Sequence, residues 1–279
     1  MTSDSRTTAA DARAKARSVS DSRWFENAIR IGLGAYGVMH ILIGWLGLQL
    51  AFGDRQGAPS QQGALHVLAQ QPGGELLLWA TGLGLFFLAV WQLILTAWGH
   101  SREDGIKRAF KRIGSAGMAV LFTVLGYSAI MTATAGSASS ANEDSLTRRL
   151  LELPGGQLIV IGVGVVIGIV GAVDFTRGVT TSFDDQLKPG AFSGSSGAVV
   201  KRLGQIGHIS KGIALIVLGG LFVWAGATYE PSQAGGLDTA LRTLLDASVG
   251  PWLLVVVAAG IVAFGLYCFA WARYADTST

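Results

Sequence analysis

Six stretches of this chain contain no Asp, Glu, Lys or Arg: Ile31–Gly53, Leu76–Ser101, Ile113–Asn142, Leu153–Val173, Gly212–Tyr229 and Ala247–Ala272. Each reaches the roughly 18 to 20 residues that a helix needs to cross the hydrocarbon core of a bilayer. A segment in that solvent must satisfy its own backbone N–H and C=O groups, so apolar runs of this length read as spanning helices. The prediction is an all-α polytopic membrane protein with six transmembrane helices. Composition agrees: half the residues are apolar, 14% are charged and 39 are glycine. Glycine in apolar helices suits a membrane bundle, because small residues let helix backbones approach closely in lipid.

The runs are copies. With Gly32, Gly114 and Gly207 superposed, a small residue follows five later in each, at Gly37, Ala119 and Gly212. A glycine comes seven further on, at Gly44, Gly126 and Gly219. The even-numbered runs repeat too: Pro72-Gly73-Gly74 and Pro154-Gly155-Gly156 open the second and fourth, and Gly250-Pro251-Trp252 opens the sixth. Proline is tolerated in a first helical turn, where its missing N–H has no partner to lose. Short amphipathic segments precede these openings at Ala64–Ala69, Leu146–Leu153 and Asp238–Leu245, and are expected to lie along the outer membrane surface. The unit is therefore a two-helix repeat, present at 29–100, 110–180 and 199–275. Each copy crosses twice, so all three face the same way, and parallel repeats are related by an axis along the membrane normal. A pseudo-threefold six-helix bundle follows, in preference to a linear row of hairpins.

Basic residues set the orientation. Sixteen lie in the N-terminal tail, the loops after the second and fourth spans, and the stretch after the sixth. Four (Arg55, Arg148, Arg149 and Arg242) lie on the other side, and Lys211 is inside a span. That bias predicts that both termini are in the cytoplasm. Residues 1–28 hold no apolar core and so do not read as a signal peptide. They are expected to form a disordered cytoplasmic tail, since they cannot bury enough surface to offset ordering. Ser22–Asn27, with Trp24 and Phe25, is a candidate headgroup anchor. Trp45, Trp79, Trp98, Trp224, Trp252 and Trp271 sit near run ends, as interfacial anchors should, whereas Trp91 is placed for packing.

This tandem of Gly-x4-Gly/Ala-x6-Gly helices, paired with Pro-Gly-Gly helices and ending in Ala272-Arg273-Tyr274, resembles domain-of-unknown-function family 1206. The likeness covers nearly all of the chain after residue 28. It implies a bacterial inner-membrane protein, of a kind frequent in actinobacteria, with three copies of a two-helix unit, and it brings no activity with it. The second copy departs from the pattern with Met118-Ala119-Val120, and the fourth span ends in Phe175-Thr176-Arg177.

Polar residues inside the spans are the candidate site. Lys211 lies about 10 Å along its helix from Gly204. His208 is one turn before it, on the face of Gly212 and Gly219, and Asp174 is about one turn inside the same end of the fourth span. These three belong to repeats two and three at comparable depth. An isolated charge at a helix centre costs about 2.5–3.5 kcal/mol, so Lys211 and Asp174 are expected to pair. That pair is either a structural lock or, with His208, a polar site for an anionic headgroup, a small acid or a proton. Tyr36 and Met118 occupy the places of Lys211, and Gln92 that of Asp174, so the charges occur in one copy only. His40, one turn deeper, is expected to be neutral and bonded to a helix carbonyl. Haem ligation by His40 and His208 is the lesser reading, because the two differ by about a turn in depth. Gly164-x3-Gly168, extended to Gly171, is a helix-packing face, within the bundle or between protomers.

No nucleotide loop, His-Glu-x-x-His or thiolate cluster is present, so neither a bound metal nor another cofactor is expected. The single Cys268 excludes an intrachain disulfide. A net charge of +3 is too small to suggest nucleic acid. The expectation is a non-enzymatic scaffold or accessory subunit binding membrane lipids, a membrane protein partner or a second copy of itself. The alternative is a small transporter or channel using His208, Lys211 and Asp174, with a lipid-acting or haem-binding enzyme more distant. The shared orientation of the repeats has a direct check: cysteines at positions 103 and 185 should label from the same side of the membrane with an impermeant maleimide. Labelling from opposite sides would remove the tandem architecture.

Overall fold

The computed structural model describes residues 23–53, 57–99, 105–135, 151–183, 187, 194–230 and 236–274. Eight helices run through them: α1 (Arg23–Ala51), α2 (Gln61–Ala69), α3 (Gly74–Ala97), α4 (Gly105–Ala135), α5 (Gly156–Thr180), α6 (Gly194–Thr228), α7 (Leu237–Leu245) and α8 (Gly250–Tyr274). All but α2 and α7 are long and apolar enough to cross a membrane. The fold is that of an all-α polytopic membrane protein.

Several helix boundaries differ from those expected of the apolar runs. The fifth run begins at Gly212, yet α6 begins at Gly194, so Lys201, Arg202, His208 and Lys211 stand on one continuous 35-residue helix. Lysine and arginine are good helix formers and nothing before Gly212 breaks the pattern, so the helix projects past the apolar slab. At about 52 Å it exceeds the roughly 30 Å of hydrocarbon. Likewise α1 starts at Arg23, which puts Trp24 and Phe25 in its first turns rather than in a separate anchor segment. Pro72 and Pro154 do not open α3 and α5 from inside. Each precedes a left-handed N-cap glycine, Gly73 and Gly155, both at φ +76°. Such a φ suits glycine, which has no Cβ to clash. In the third repeat Pro251 does lie within the first turn of α8. The three entries share one bond, from the N–H of Gly74, Gly156 and Gly250 to the carbonyl three residues back, 2.8 Å in every case. Residues 1–22, and Leu146–Leu150 of the second amphipathic segment, lie outside the described residues.

The other two amphipathic segments are α2 and α7. Ser60 caps α2 by accepting from the Gly63 N–H at 3.1 Å. Ala64 and Leu65 of α2, and Ala240 and Leu241 of α7, are fully buried. They pack with Met39, Ile43, Leu50, Leu254 and Val257 into one half of the core. These helices thus close one end of the bundle. The other half of the core, toward the basic loops, gathers Leu33, Tyr36, Leu85, Phe122, Phe264 and Tyr267.

The six long helices pack in the order α4, α3, α1, α8, α6, α5. Helix α3 lies against both α1 and α4, α8 against both α1 and α6, and α6 against α5. The α8–α1 contact excludes a linear row of hairpins. The glycines at the second and third template positions turn to the even-numbered span of the preceding repeat. A Cβ on Gly37 or Gly44 of α1 would lie 2.7 Å from the Gly265 or Ala258 carbonyl of α8. One on Gly212 or Gly219 of α6 would lie 2.7 or 2.6 Å from the Gly171 or Gly164 carbonyl of α5. On Gly126 of α4 it would lie 3.1 Å from the Gly82 carbonyl of α3. Counted from Gly74, Gly156 and Gly250, these partners are equivalent: Gly82 with Gly164 and Ala258, Gly171 with Gly265. The same approach of backbones is therefore built three times.

The contact within a repeat is built twice. Gly32 of α1 meets the Gly84 carbonyl and Leu88 of α3, and Gly207 of α6 meets Phe264 of α8. Gly260, the counterpart of Gly84, lies under Ser210 of α6. In the second repeat the same places hold Gly114, Val166 and Val170. A Cβ on Gly114 would enter open space, and Val166 and Val170 are 60% and 45% exposed. Valine stands where the other repeats have glycine, and α4 and α5 stand apart. The ring is open on that side. Gly219→Val should lower the melting temperature in detergent, by a loss of about 1–3 kcal/mol for overpacking. Gly162→Ala, whose Cβ would meet nothing within 4 Å, should leave it unchanged or raise it.

Candidate functional site

The close approach of α5 and α6 decides where the charged groups go. Gly171 and Gly178 of α5 sit against Gly212 and Ile209 of α6. Asp174 lies between those glycines and is carried into the contact, 5% exposed. Lys211 Nζ lies 3.0 Å from Asp174 Oδ2, with side chains 17% and 7% exposed. His208 Nδ1 lies 3.4 Å from Asp174 Oδ1, at the edge of hydrogen-bonding range. Neither of its buried ring nitrogens makes a hydrogen bond among the described residues. Arg177 reaches Asp174 Oδ1 at 3.8 Å from the half-exposed flank of α5.

Aromatic rings seal this cluster on the side of the bundle axis. The Lys211 ammonium lies 4.5 Å from the Phe264 ring centre and 5.9 Å from that of Tyr36. The Tyr36 hydroxyl engages the same ammonium. Phe183, from the segment after α5, stacks on His208 at 5.3 Å, and Tyr267 and Phe264 close its edges. Tyr36 also meets Phe122 of α4 edge-on at 5.3 Å, so all three repeats touch at this level. A cation over ring faces adds attraction that grows as water is excluded.

The three repeats occupy this level differently. Counted from the entry glycines, Asp174 corresponds to Gln92 and to Cys268, and both are buried. Lys211 corresponds to Tyr36 and Met118. The inter-repeat contacts therefore carry Asp174 with Lys211, Cys268 with Tyr36, and Gln92 with Met118 at equivalent places. Cys268 was missed as a counterpart of Asp174, although the spacing from Gly250 identifies it. Phe264 and Phe183 gave no sequence signal, being one phenylalanine in an apolar run and another in a loop.

His40 donates its Nδ1–H to the Tyr36 carbonyl, 2.8 Å away within its own helix. Its ring packs on Phe264 at 4.8 Å, and His208 packs on the same phenyl ring at 5.1 Å. Phe264 thus takes the place beside both imidazoles that a haem would need, so the two histidines do not fit that group. Gly164 and Gly171 face α6, and the Gly168 backbone joins the same contact, its N 2.6 Å from a Cβ built on Gly219, although a Cβ on Gly168 itself would point into open space. Trp271 is not an interfacial anchor: it is buried, as is Trp91. Trp45, Trp98, Trp224 and Trp252 are exposed.

Chemically, the cluster holds one carboxylate against one close ammonium and one more distant guanidinium. Removing either member of the close pair would leave a buried charge alone, which costs about 3–5 kcal/mol in water-soluble proteins. Lys211→Leu should therefore destabilise strongly, and Lys211→Leu with Asp174→Asn should recover part of the loss. A thermal-melt cycle over the four proteins measures this, and additive losses would exclude an energetic pair.

The comparisons with known proteins agree with the tandem geometry. The model of the Domain of Unknown Function DUF1206 matches three times, over residues 31–99, 113–181 and 206–275. The Uncharacterized protein YxxB of Bacillus subtilis (strain 168) is 26% identical over 246 residues, which cover 88% of this chain and 89% of that relative. No solved structure matches. With three matched units joined by the same glycine contacts, the chain belongs to the DUF1206 family.

Proposed function

We propose that this protein is a non-enzymatic scaffold of a bacterial cytoplasmic membrane, with both termini on the cytoplasmic side. In this reading the Asp174–Lys211 pair is a lock and the open flank between α4 and α5 is the working surface. The observation that carries it is the asymmetry of packing. Equivalent helices close the ring elsewhere through glycine contacts, while α4 and α5 turn Leu121, Val163, Val166 and Val170 outward. The charged groups, by contrast, already have partners and lie behind aromatic rings. A surface that the fold leaves uncovered in one repeat out of three suits a binding role, with membrane lipid or a membrane protein as the ligand.

A second reading, transport of a proton or small anion, draws on His208, whose buried ring nitrogens make no hydrogen bond among the described residues and which lies beside Asp174. Proteoliposomes separate the two. The scaffold reading expects no proton or small-anion flux above empty vesicles, together with lipid or protein that co-purifies from native membranes. Flux that Lys211→Met abolishes would replace it with the transport reading.

A further inference from the structure

The chain does not leave the bundle where α5 ends. Thr181 follows α5 with φ +59°, and two residues later Phe183 is fully buried. Its ring stacks on His208 of α6 at 5.3 Å, with the planes 15° apart, and meets Tyr267 of α8 edge-on at 5.4 Å. Leu187 is buried in the same half of the core. The floor of the seat is Gly204 of α6, where a Cβ would lie 2.6 Å from Phe183 Cε2. Knob and hole are particular to this place. Counted from the entry and template glycines, Phe183 corresponds to Ser101 and Thr277, Gly204 to Ile29 and Lys111, and His208 to Leu33 and Ser115. The junction of the second and third repeats alone has the phenyl ring, the bare backbone beneath it and an imidazole to cover.

Two features of this seat oppose its closing. A left-handed φ is an outlier for a β-branched residue such as Thr181, and strain of that kind persists only where the surroundings impose it. Both ring nitrogens of His208 are buried without a hydrogen bond among the described residues, whereas in water both would have partners. Burial of Phe183 acts the other way, because an aromatic ring leaves water favourably. Around the imidazole stand Asp174 of α5, Lys211 one turn on, and the Phe264 and Tyr267 rings of α8, with Arg177 beyond Asp174. Phe183 covers one face of the ring from the end of the bundle where α5 stops. A strained hinge and an unbonded imidazole set against one buried ring make a balance that suits a part that opens.

We propose that Phe183 is a releasable stopper, hinged at Thr181, that keeps water from His208 and from the Asp174–Lys211 pair. With the ring in its seat the pair is sealed and holds α5 to α6 at full strength. With the ring withdrawn, water reaches the imidazole and the carboxylate, and the attraction between Asp174 and Lys211 weakens as the local dielectric rises. The junction between the second and third repeats is thus softened from one end of the bundle without unpacking its glycine contacts. This device goes beyond the scaffold reading and is independent of what occupies the open flank.

The test uses the full chain in mild detergent. Diethyl pyrocarbonate acylates an accessible imidazole nitrogen, and peptide mass spectrometry reads His208 against the exposed His66. N-ethylmaleimide reads Cys268, which is fully buried in the α1–α8 contact and stays covered unless the bundle loosens. Wild-type His208 should react far more slowly than His66, yet well below the melting temperature it should react while Cys268 does not. Phe183→Ala should speed acylation of His208 about tenfold or more, the equilibrium worth of one buried aromatic ring. Gly204→Ala, which crowds the seat and leaves Phe183 in the chain, should act in the same direction. In both variants Cys268 should stay protected. A wild-type His208 as reactive as His66, or a rate unchanged by both variants, overturns the stopper. Joint exposure of His208 and Cys268, in the wild type or in the variants, overturns it too and makes Phe183 ordinary core packing. Proton or anion flux in proteoliposomes overturns the scaffold reading and leaves these reactivities as they are.

Discussion

Inside a bilayer, a leucine gains nothing by leaving lipid for another leucine, so apolar helices associate through close backbone approach and polar contacts rather than through the hydrophobic effect. This bundle depends on that constraint. Its glycines lie where one backbone must come within contact distance of another: Gly37 on Gly265, Gly126 on Gly82, Gly212 on Gly171 and Gly219 on Gly164. Every one of these contacts joins two different repeats. A repeat is therefore not a self-contained hairpin. Its first span is held by the repeat before it, and the third copy is joined to the first because α8 receives α1.

The charged cluster sits on the same contact and depends on it. Asp174 is buried because Gly171 and Gly178 bring α5 against α6 at that level, and Lys211 reaches it from α6 at 3.0 Å. In the other two copies the equivalent contact holds a cysteine with a tyrosine and a glutamine with a methionine. Shape is conserved among the copies while chemistry is not. The one ionic version lies beside the one place where the ring is open, and Arg177 connects them by reaching Asp174 from the flank of α5. A lock at that position holds α5 to α6 where α5 lacks support from α4.

The functional reading follows from this inequality among the repeats. Three equal copies would make a closed ring with lipid on every side and no distinguished surface. Valine stands at position 166, where the other two repeats have glycine, and the contact made there in those repeats is missing from the second.

Much of this was legible along the chain. Six spans, their copying in threes and the glycine spacing follow from length, polarity and period, which act locally and need no knowledge of neighbours. The likelihood that Lys211 and Asp174 meet was readable from depth alone, since charge in hydrocarbon demands a partner. Other features were not. Helix α6 was too long to see, because basic residues end an apolar run without ending a helix. Trp271 looked like an anchor and is core; Phe264 looked like lipid-facing apolar sequence and stands under an ammonium. Composition and period determine that six helices cross and that three repeats share one orientation. Only the tertiary structure decides which glycine meets which backbone, that the contact is made between repeats, and that it fails once between α4 and α5. Those outcomes depend on how helices far apart in the chain come together, which no local pattern records.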